Sequence, residues 1–284
     1  MLEGVRPSSS CSSDPAPPAR SWLGRRLIGW GVPPRVTPAG RSYWTRTRRP
    51  LPCLAFVLPI LAAYETGVLW LGGDSGGSLR TGADAWMRQA LAAAGLTDPR
   101  FPPLIVVVAL LAWQAADFRD WRFRPSCLLG MAAESLVLAV ALIGLSHIVD
   151  LGFARLEGQP VLAVGATPGV AAHPIAPLVG FLGAGLYEEA LFRLALIPAL
   201  FGSMRLLQAP PTLAGTLAVT ASALLFSLAH HAGAPGEAFT WFAFIFRWLA
   251  GVFFAWVFVV RGFGIVVGTH AAYDILVGWW GWHF

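Results

Sequence analysis

The stretch LVGFLGAGLYEEALFRLALIPALF, residues 178–201, decides the fold class of this chain. Its length matches the roughly 20 apolar residues that a helix needs to cross the hydrocarbon core of a bilayer. It nevertheless contains two adjacent acids, Glu188 and Glu189, and one base, Arg193. Charged groups within a membrane are costly and usually face a bundle interior or a wet cavity. The stretch therefore predicts a membrane helix packed among other helices.

The rest of the chain has the composition of a membrane protein. Hydrophobic residues make up 56% of the 284 residues and charged residues only 12%, with a mean hydropathy of +0.63. A soluble domain carries about twice that charged fraction. Lipid offers no hydrogen-bond partners to bare backbone, so apolar spans are expected to be helical. The predicted fold is an all-α, polytopic transmembrane bundle of about seven spans that encloses an intramembrane cavity. The other six spans are predicted at residues 51–71, 101–116, 127–148, 212–231, 239–260 and 264–282, with an interfacial helix at 85–96.

The N-terminal residues 1–50 have a different character. They are rich in Pro, Ser and Arg, lack helical periodicity and are predicted to be a disordered tail. All 20 basic residues of the chain are Arg, and nine of them precede Pro50. Because this basic tail directly precedes an apolar span, it indicates a cytoplasmic N-terminus rather than nucleic-acid binding. Residues 51–174 are then assigned to N-terminal transmembrane helices and loops, and residues 175–284 to the core helices that carry most of the membrane-embedded charges.

Other features of the sequence concern the membrane and its source. The Arg-containing loop 119–124 is expected on the same side as the tail, and Trp279, Trp280 and Trp282 are expected in an aromatic belt. The exclusive use of Arg, together with abundant Ala and Gly, favours a GC-rich bacterial genome. The chain is therefore predicted to lie in a bacterial inner membrane.

The two acids at 188 and 189 are predicted to have different partners. At about 100° per residue, Glu189 and Arg193 lie on one helical face, in the order that favours an ion pair. Glu188 projects away from Arg193 and points elsewhere. An acid held in an apolar pocket suits general acid–base chemistry. The alternative is that both acids only hold helices together.

Two later spans carry imidazoles. Phe226 and His230 are one turn apart, so they share a helical face. His270 and Asp274 are also four residues apart, so both can face one cavity. The alternatives are a structural histidine at a helix end and a mutually satisfied His–Asp pair, although a pair deep in lipid rarely lacks a task.

Together these segments resemble the motifs of a known family of membrane proteases. Glu188-Glu189-xxx-Arg193 resembles EExxxR, Phe226-xxx-His230 resembles FxxxH, and His270-xxx-Asp274 resembles HxxxN or HxxxD. In this order on three membrane helices, they identify the chain as a member of the CPBP group, which comprises CAAX prenyl proteases of the Ras-converting type and bacteriocin-processing (Abi) proteins. The resemblance covers roughly residues 175–280.

The resemblance implies a glutamate-type intramembrane endopeptidase without a cofactor or bound metal. Glu188 and His230 would activate a water, and His270 and Asp274 would stabilise the oxyanion. Arg193 would hold Glu189 and its helix in place. The implied partners are the bilayer and a membrane or C-terminal peptide substrate.

The residue at 274 departs from the family pattern, because the prenyl proteases typically have Asn there. An ionised Asp cannot donate to an oxyanion, so Asp274 would either orient His270 or act in its protonated form. This departure motivates a second hypothesis, that the chain is a non-catalytic membrane scaffold or a transporter. A third is a zinc protease using His230, His270 and a carboxylate, since these residue types bind zinc.

Overall fold

The computed structural model describes residues 43–72, 79–117, 121–157, 173–232 and 238–278, and within these ranges the chain forms helices and no strand. The all-α prediction is therefore confirmed. In chain order the helices are α1 (Tyr43–Arg46), α2 (Pro50–Gly72), α3 (Gly82–Ala93), α4 (Phe101–Asp117), α5 (Ser126–Glu157), α6 (residues 176–206), α7 (Pro211–Ala229), α8 (Trp241–Arg261) and α9 (Phe263–Gly278).

The lengths and composition of the helices are those of a polytopic membrane protein, as predicted. Helices α2, α5, α7 and α8 are long and apolar enough to cross a membrane, and α4 and α9 are shorter apolar helices. Each of the seven predicted spans corresponds to one helix from α2 to α9, with α3 at the place of the predicted interfacial helix. Many large apolar side chains on these helices face outward, for example Leu129 and Val137 of α5, as expected for a lipid-facing surface.

Some helix boundaries differ from the sequence prediction. Residues 149–157, predicted as loop, continue α5. Helix α7 ends at Ala229, so His230 is the residue that caps its C-terminus. Apolar content alone locates the part of a helix that contacts lipid, and polar turns beyond it escape this signal. The described part of α9 ends at Gly278, and the predicted tryptophan belt at residues 279–282 lies outside the described residues.

The predicted N-terminal tail includes residues that pack against the bundle. Residues 1–42 lie outside the described residues, but residues 43–50 are placed. The Tyr43 hydroxyl donates to Glu134 at 2.8 Å, and burial together with this carboxylate raises the pKa of Tyr43. Arg261 forms an ion pair with Glu134 and donates to the Thr47 hydroxyl at 3.0 Å. The tail prediction therefore does not extend to residues 43–50, because charged partners on α5 and α8 bind this segment.

Helix α9 is the central helix of the bundle. Its residues 263–271 are all buried, and it packs against α2, α5, α6 and α8. It follows α8 after a single residue, Gly262, whose φ of 94° lies in the left-handed region that favours glycine. A side chain at this corner would also approach the Cα of Arg48 at 3.0 Å. The tight α8–α9 corner places α9 against its predecessor and in the middle of the bundle.

Helices α6 and α9 approach each other closely at Gly185. A Cβ atom added to Gly185 would lie 2.6 Å from the backbone nitrogen of Ala271 and 2.8 Å from its Cβ. Small residues at membrane helix interfaces permit such contact between backbones. Since Gly185 is close to Glu188 and Ala271 follows His270, this contact sets the spacing between the acids and one imidazole.

We predict that Gly185→Ala destabilises the protein by roughly 1–3 kcal/mol, because overpacking forces α6 and α9 apart. The matched control is Gly180→Ala in the same helix, where an added Cβ meets nothing within 4 Å. Removing a helical glycine there is expected to be neutral or stabilising by up to about 1 kcal/mol. Thermal unfolding of the two variants in detergent measures the difference. Equal unfolding midpoints would show that the close approach does not constrain the bundle.

Candidate active site

Helix α6 changes its winding where it carries the acids. It runs as an α-helix over Ala176–Gly183, contains π-helical segments at Ala184–Glu188 and Ala190–Leu196, and ends as an α-helix over Ile197–Leu206. The π-helix is rare and usually occurs as a single turn, often at a functional site. Here it flanks Glu189 on both sides, so the unusual winding determines where the two adjacent carboxylates point.

The buried ion pair of this helix is formed by Glu189 and Arg193. Both side chains are inaccessible, and Arg193 Nη1 lies 3.1 Å from Glu189 Oε1. Arg193 also donates from Nη2 to the carbonyl of Gly251 on α8 at 3.2 Å. Its guanidinium lies over the ring of Phe226 at 4.3 Å from the centroid. Arg193 therefore connects α6 with α7 and α8.

His270 of α9 completes this arrangement. Its Nδ1 lies 2.7 Å from Glu189 Oε1, so Glu189 contacts both Arg193 and His270. The imidazole stacks on the ring of Phe254 from α8, with centroids 4.4 Å apart and planes 17° apart. These two contacts fix the plane of the ring and leave Nε2 directed at Glu188 and Asp274.

His230, at the end of α7, is oriented by its own helix. Its Nδ1 lies 2.8 Å from the carbonyl oxygen of Phe226. A carbonyl only accepts, so Nδ1 carries the proton, and Nε2 is the nitrogen that faces the site. The Phe226 ring packs edge-on against His230 at 4.8 Å and against His270 at 6.0 Å. Phe226 therefore separates and supports the two imidazoles.

Glu188 lies between the two imidazoles. Its Oε2 atom is 3.7 Å from His230 Nε2 and 3.9 Å from His270 Nε2. Both distances exceed that of a direct hydrogen bond, and a water beside such a gap can contact both groups. Within the described ranges, Glu188 Oε2 has no hydrogen-bond partner. The side chains of Glu188 and His230 remain 15% and 24% exposed, and Glu188 Oε2 itself is buried.

Asp274 lies at the other side of His270. Its Oδ2 is 3.6 Å from His270 Nε2, and its side chain remains 21% exposed. Glu189 already fixes the orientation of His270 through Nδ1, so Asp274 is not needed for that purpose. We call Glu188, Glu189, His230, His270 and Asp274 the carboxylate–histidine cluster.

Helix α8 contributes two residues that sequence reasoning did not assign to the site. Phe254 stacks on His270, and no motif pointed to it because it lies in a uniformly apolar run. Arg247 is buried, and its positive charge acts on both Glu188 and Asp274. The sequence could have pointed to Arg247, because a base in an apolar span usually has a specific partner.

Behind the cluster, a second polar network packs against α6. Glu65 of α2 accepts a hydrogen bond from the hydroxyl of Tyr187, the residue before Glu188. Arg88 of α3 lies 3.4 Å from Glu65 and donates to Asp84 at 2.7 Å. Glu65 thus belongs to a structural network and is not directed at the imidazoles.

The site helices match a known family. Residues 170–276 match the profile of the family described as type II CAAX prenyl endopeptidase Rce1-like. Comparisons with curated proteins and with solved structures gave no match. The matched segment contains all three motifs and every residue of the carboxylate–histidine cluster. The segment that carries the site therefore matches the CAAX protease family that the three motifs predicted.

Proposed function

We propose that this membrane protein is a glutamate-type endopeptidase, in which Glu188 and His230 activate a water for attack on a peptide carbonyl. The family supports a CAAX-type intramembrane peptidase. The observation that supports the finer proposal is the convergence of two imidazole nitrogens on one Glu188 oxygen, at 3.7 and 3.9 Å.

The first chemical step is proton removal from water. Water is a poor nucleophile, and a positioned base raises its reactivity by roughly 10²–10⁴-fold. A water in contact with Glu188 Oε2 and His230 Nε2 has two acceptors, because the Nδ1 proton of His230 is bonded to the Phe226 carbonyl. The hydroxide adds to the peptide carbonyl, and the abstracted proton then passes to the leaving amine.

The second requirement is stabilisation of the oxyanion that forms on the carbonyl oxygen. Donors that are already oriented in a dry site are the most effective. His270 meets this requirement as an imidazolium, which donates from Nδ1 to Glu189 and from Nε2 to the oxyanion, and its ring is held in place by stacking on Phe254. Asp274 lies beside this nitrogen and supplies a second group at the same place. In its protonated form, Asp274 donates to the oxyanion.

The substrate that fits this site is a peptide segment within or at the membrane. All members of the carboxylate–histidine cluster lie on or at the ends of apolar helices, so a peptide reaches them from the bilayer or its surface. The arginine distribution supports a cytoplasmic N-terminus, and the exclusive use of Arg with abundant Ala and Gly supports a bacterial inner membrane. A membrane peptide of that cell is the expected substrate.

We predict that Glu188→Gln and His230→Ala each reduce peptide cleavage by roughly 10²–10⁴-fold, because each removes one acceptor of the water proton. The matched control is His231→Ala. Its imidazole packs on Phe239 and Phe244 instead of Glu188, so cleavage should be retained. Purified variants with unchanged unfolding midpoints are assayed on a peptide library in detergent. Full cleavage by Glu188→Gln would reject the mechanism, and no cleavage by the wild type would favour a membrane scaffold or a transporter.

We predict that Asp274→Asn stays within about tenfold of wild-type activity, while Asp274→Ala loses roughly 10²–10³-fold, the usual cost of removing an oxyanion donor. The reason is that an amide replaces a protonated carboxyl as donor, and His270 is oriented by Glu189 in either case. Steady-state cleavage rates of the two variants make the comparison. Equal, severe losses in both would instead assign Asp274 a role as a carboxylate that acts on His270.

A zinc-dependent protease is the second candidate function, because two imidazoles and a carboxylate converge and these groups bind zinc. Within the described ranges, no group of three or more such side chains is arranged to hold a metal ion. We predict that dialysis against a chelator leaves the cleavage rate unchanged and that added Zn²⁺ does not raise it. Metal content is measured on the same samples. Loss of activity that returns with stoichiometric zinc would favour the zinc mechanism.

A further inference from the structure

A second site lies at the end of the bundle where the N-terminal segment packs. Four arginines, Arg46, Arg49, Arg122 and Arg124, line a cavity of about 240 Å³ there. Its remaining lining consists of Pro52, Phe123 and Cys127, so no described lining residue is acidic. We propose that this arginine cavity binds the phosphate head group of an anionic phospholipid.

The charge of the cavity indicates the ligand chemistry. Arginine presents a planar fork of donors that matches phosphate oxygens, and basic pockets between membrane helices bind anionic head groups. The four arginines come from two segments of the chain, namely residues 46–49 before α2 and residues 122–124 before α5. The fold thus concentrates positive charge that the sequence distributes over almost 80 residues.

The position of the cavity favours a lipid over a soluble anion. It adjoins the first turns of α2 and α5, both long enough to cross a membrane. Two tryptophans of the lining segments are largely exposed, Trp44 at 57% and Trp121 at 52%. Tryptophans are enriched at the head-group level of membranes. The arginine cavity therefore lies where lipid phosphates are found, and its apolar lining residues suit the adjoining acyl chains.

The location also separates this site from the carboxylate–histidine cluster. The cavity is formed at the ends of α2 and α5, whereas the cluster is built by α6, α7 and α9. The two sites therefore have no residue in common. A lipid bound in the arginine cavity holds the docked N-terminal segment to the bundle, as Glu134 and Arg261 also do.

The test measures lipid binding to the full-length protein in detergent by native mass spectrometry. We expect phosphatidylglycerol to bind in preference to phosphatidylcholine. The double variant Arg122→Gln/Arg124→Gln should weaken phosphatidylglycerol binding on the order of 10- to 30-fold, since each interfacial arginine contributes about a fivefold factor. Both side chains are exposed, so the variant is expected to fold.

The control is Arg100→Gln/Arg155→Gln, which removes the same charge from two exposed arginines outside the cavity. It should bind phosphatidylglycerol within about twofold of the wild type. If both double variants weaken phosphatidylglycerol binding equally, the effect comes from the overall charge of the protein and the proposal is overturned. Equal binding of the two lipids by the wild type would overturn it as well. A third arm adds inorganic phosphate at the same concentration as phosphatidylglycerol. If phosphate competes for the cavity as strongly as the lipid does, the assignment to a lipid is overturned.

Discussion

The buried carboxylate of Glu189 is the constraint on which the site depends. It lies in a fully inaccessible position and contacts Arg193 on its own helix and His270 on α9. Removing one partner of a buried pair leaves an uncompensated charge and costs about 3–5 kcal/mol. Glu189, whose charge is neutralised by Arg193, thus fixes the imidazole of His270. The adjacent Glu188 takes no part in this contact and faces the gap between the two histidines.

The helical connections explain how three distant motifs meet. Glu188 and His230 lie at nearly equal distances along the chain from the short 207–210 connection, so antiparallel packing of α6 and α7 brings them to one level. Phe254 and His270 are likewise equally far from Gly262, and their rings stack. No break in these helices is needed. The close backbone contact of Gly185 on α6 with Ala271 on α9 then joins the α6–α7 pair to the α8–α9 pair.

Several charges within the described helices are grouped with an opposite partner. Glu134 pairs with Arg261 where the N-terminal segment docks, and Asp84 pairs with Arg80 and Arg88 behind α6. These groups follow the rule that buried charges are paired. The carboxylate–histidine cluster differs in having several acids around one imidazole and a partly exposed face. That excess of acceptors is what proton transfer from water requires.

The sequence by itself determined the helical membrane fold, the ion pair of Glu189 with Arg193, and the resemblance of the last helices to a protease family, because apolar run length and i,i+4 spacing are local properties. It also identified the residues of the cluster, whose roles stay proposals. Three outcomes depended on tertiary structure: the bond from Glu189 to His270, the stacking of His270 on Phe254, and the docking of residues 43–50. Each joins residues of different helices or segments, and only the packing of helices decides which of their side chains meet.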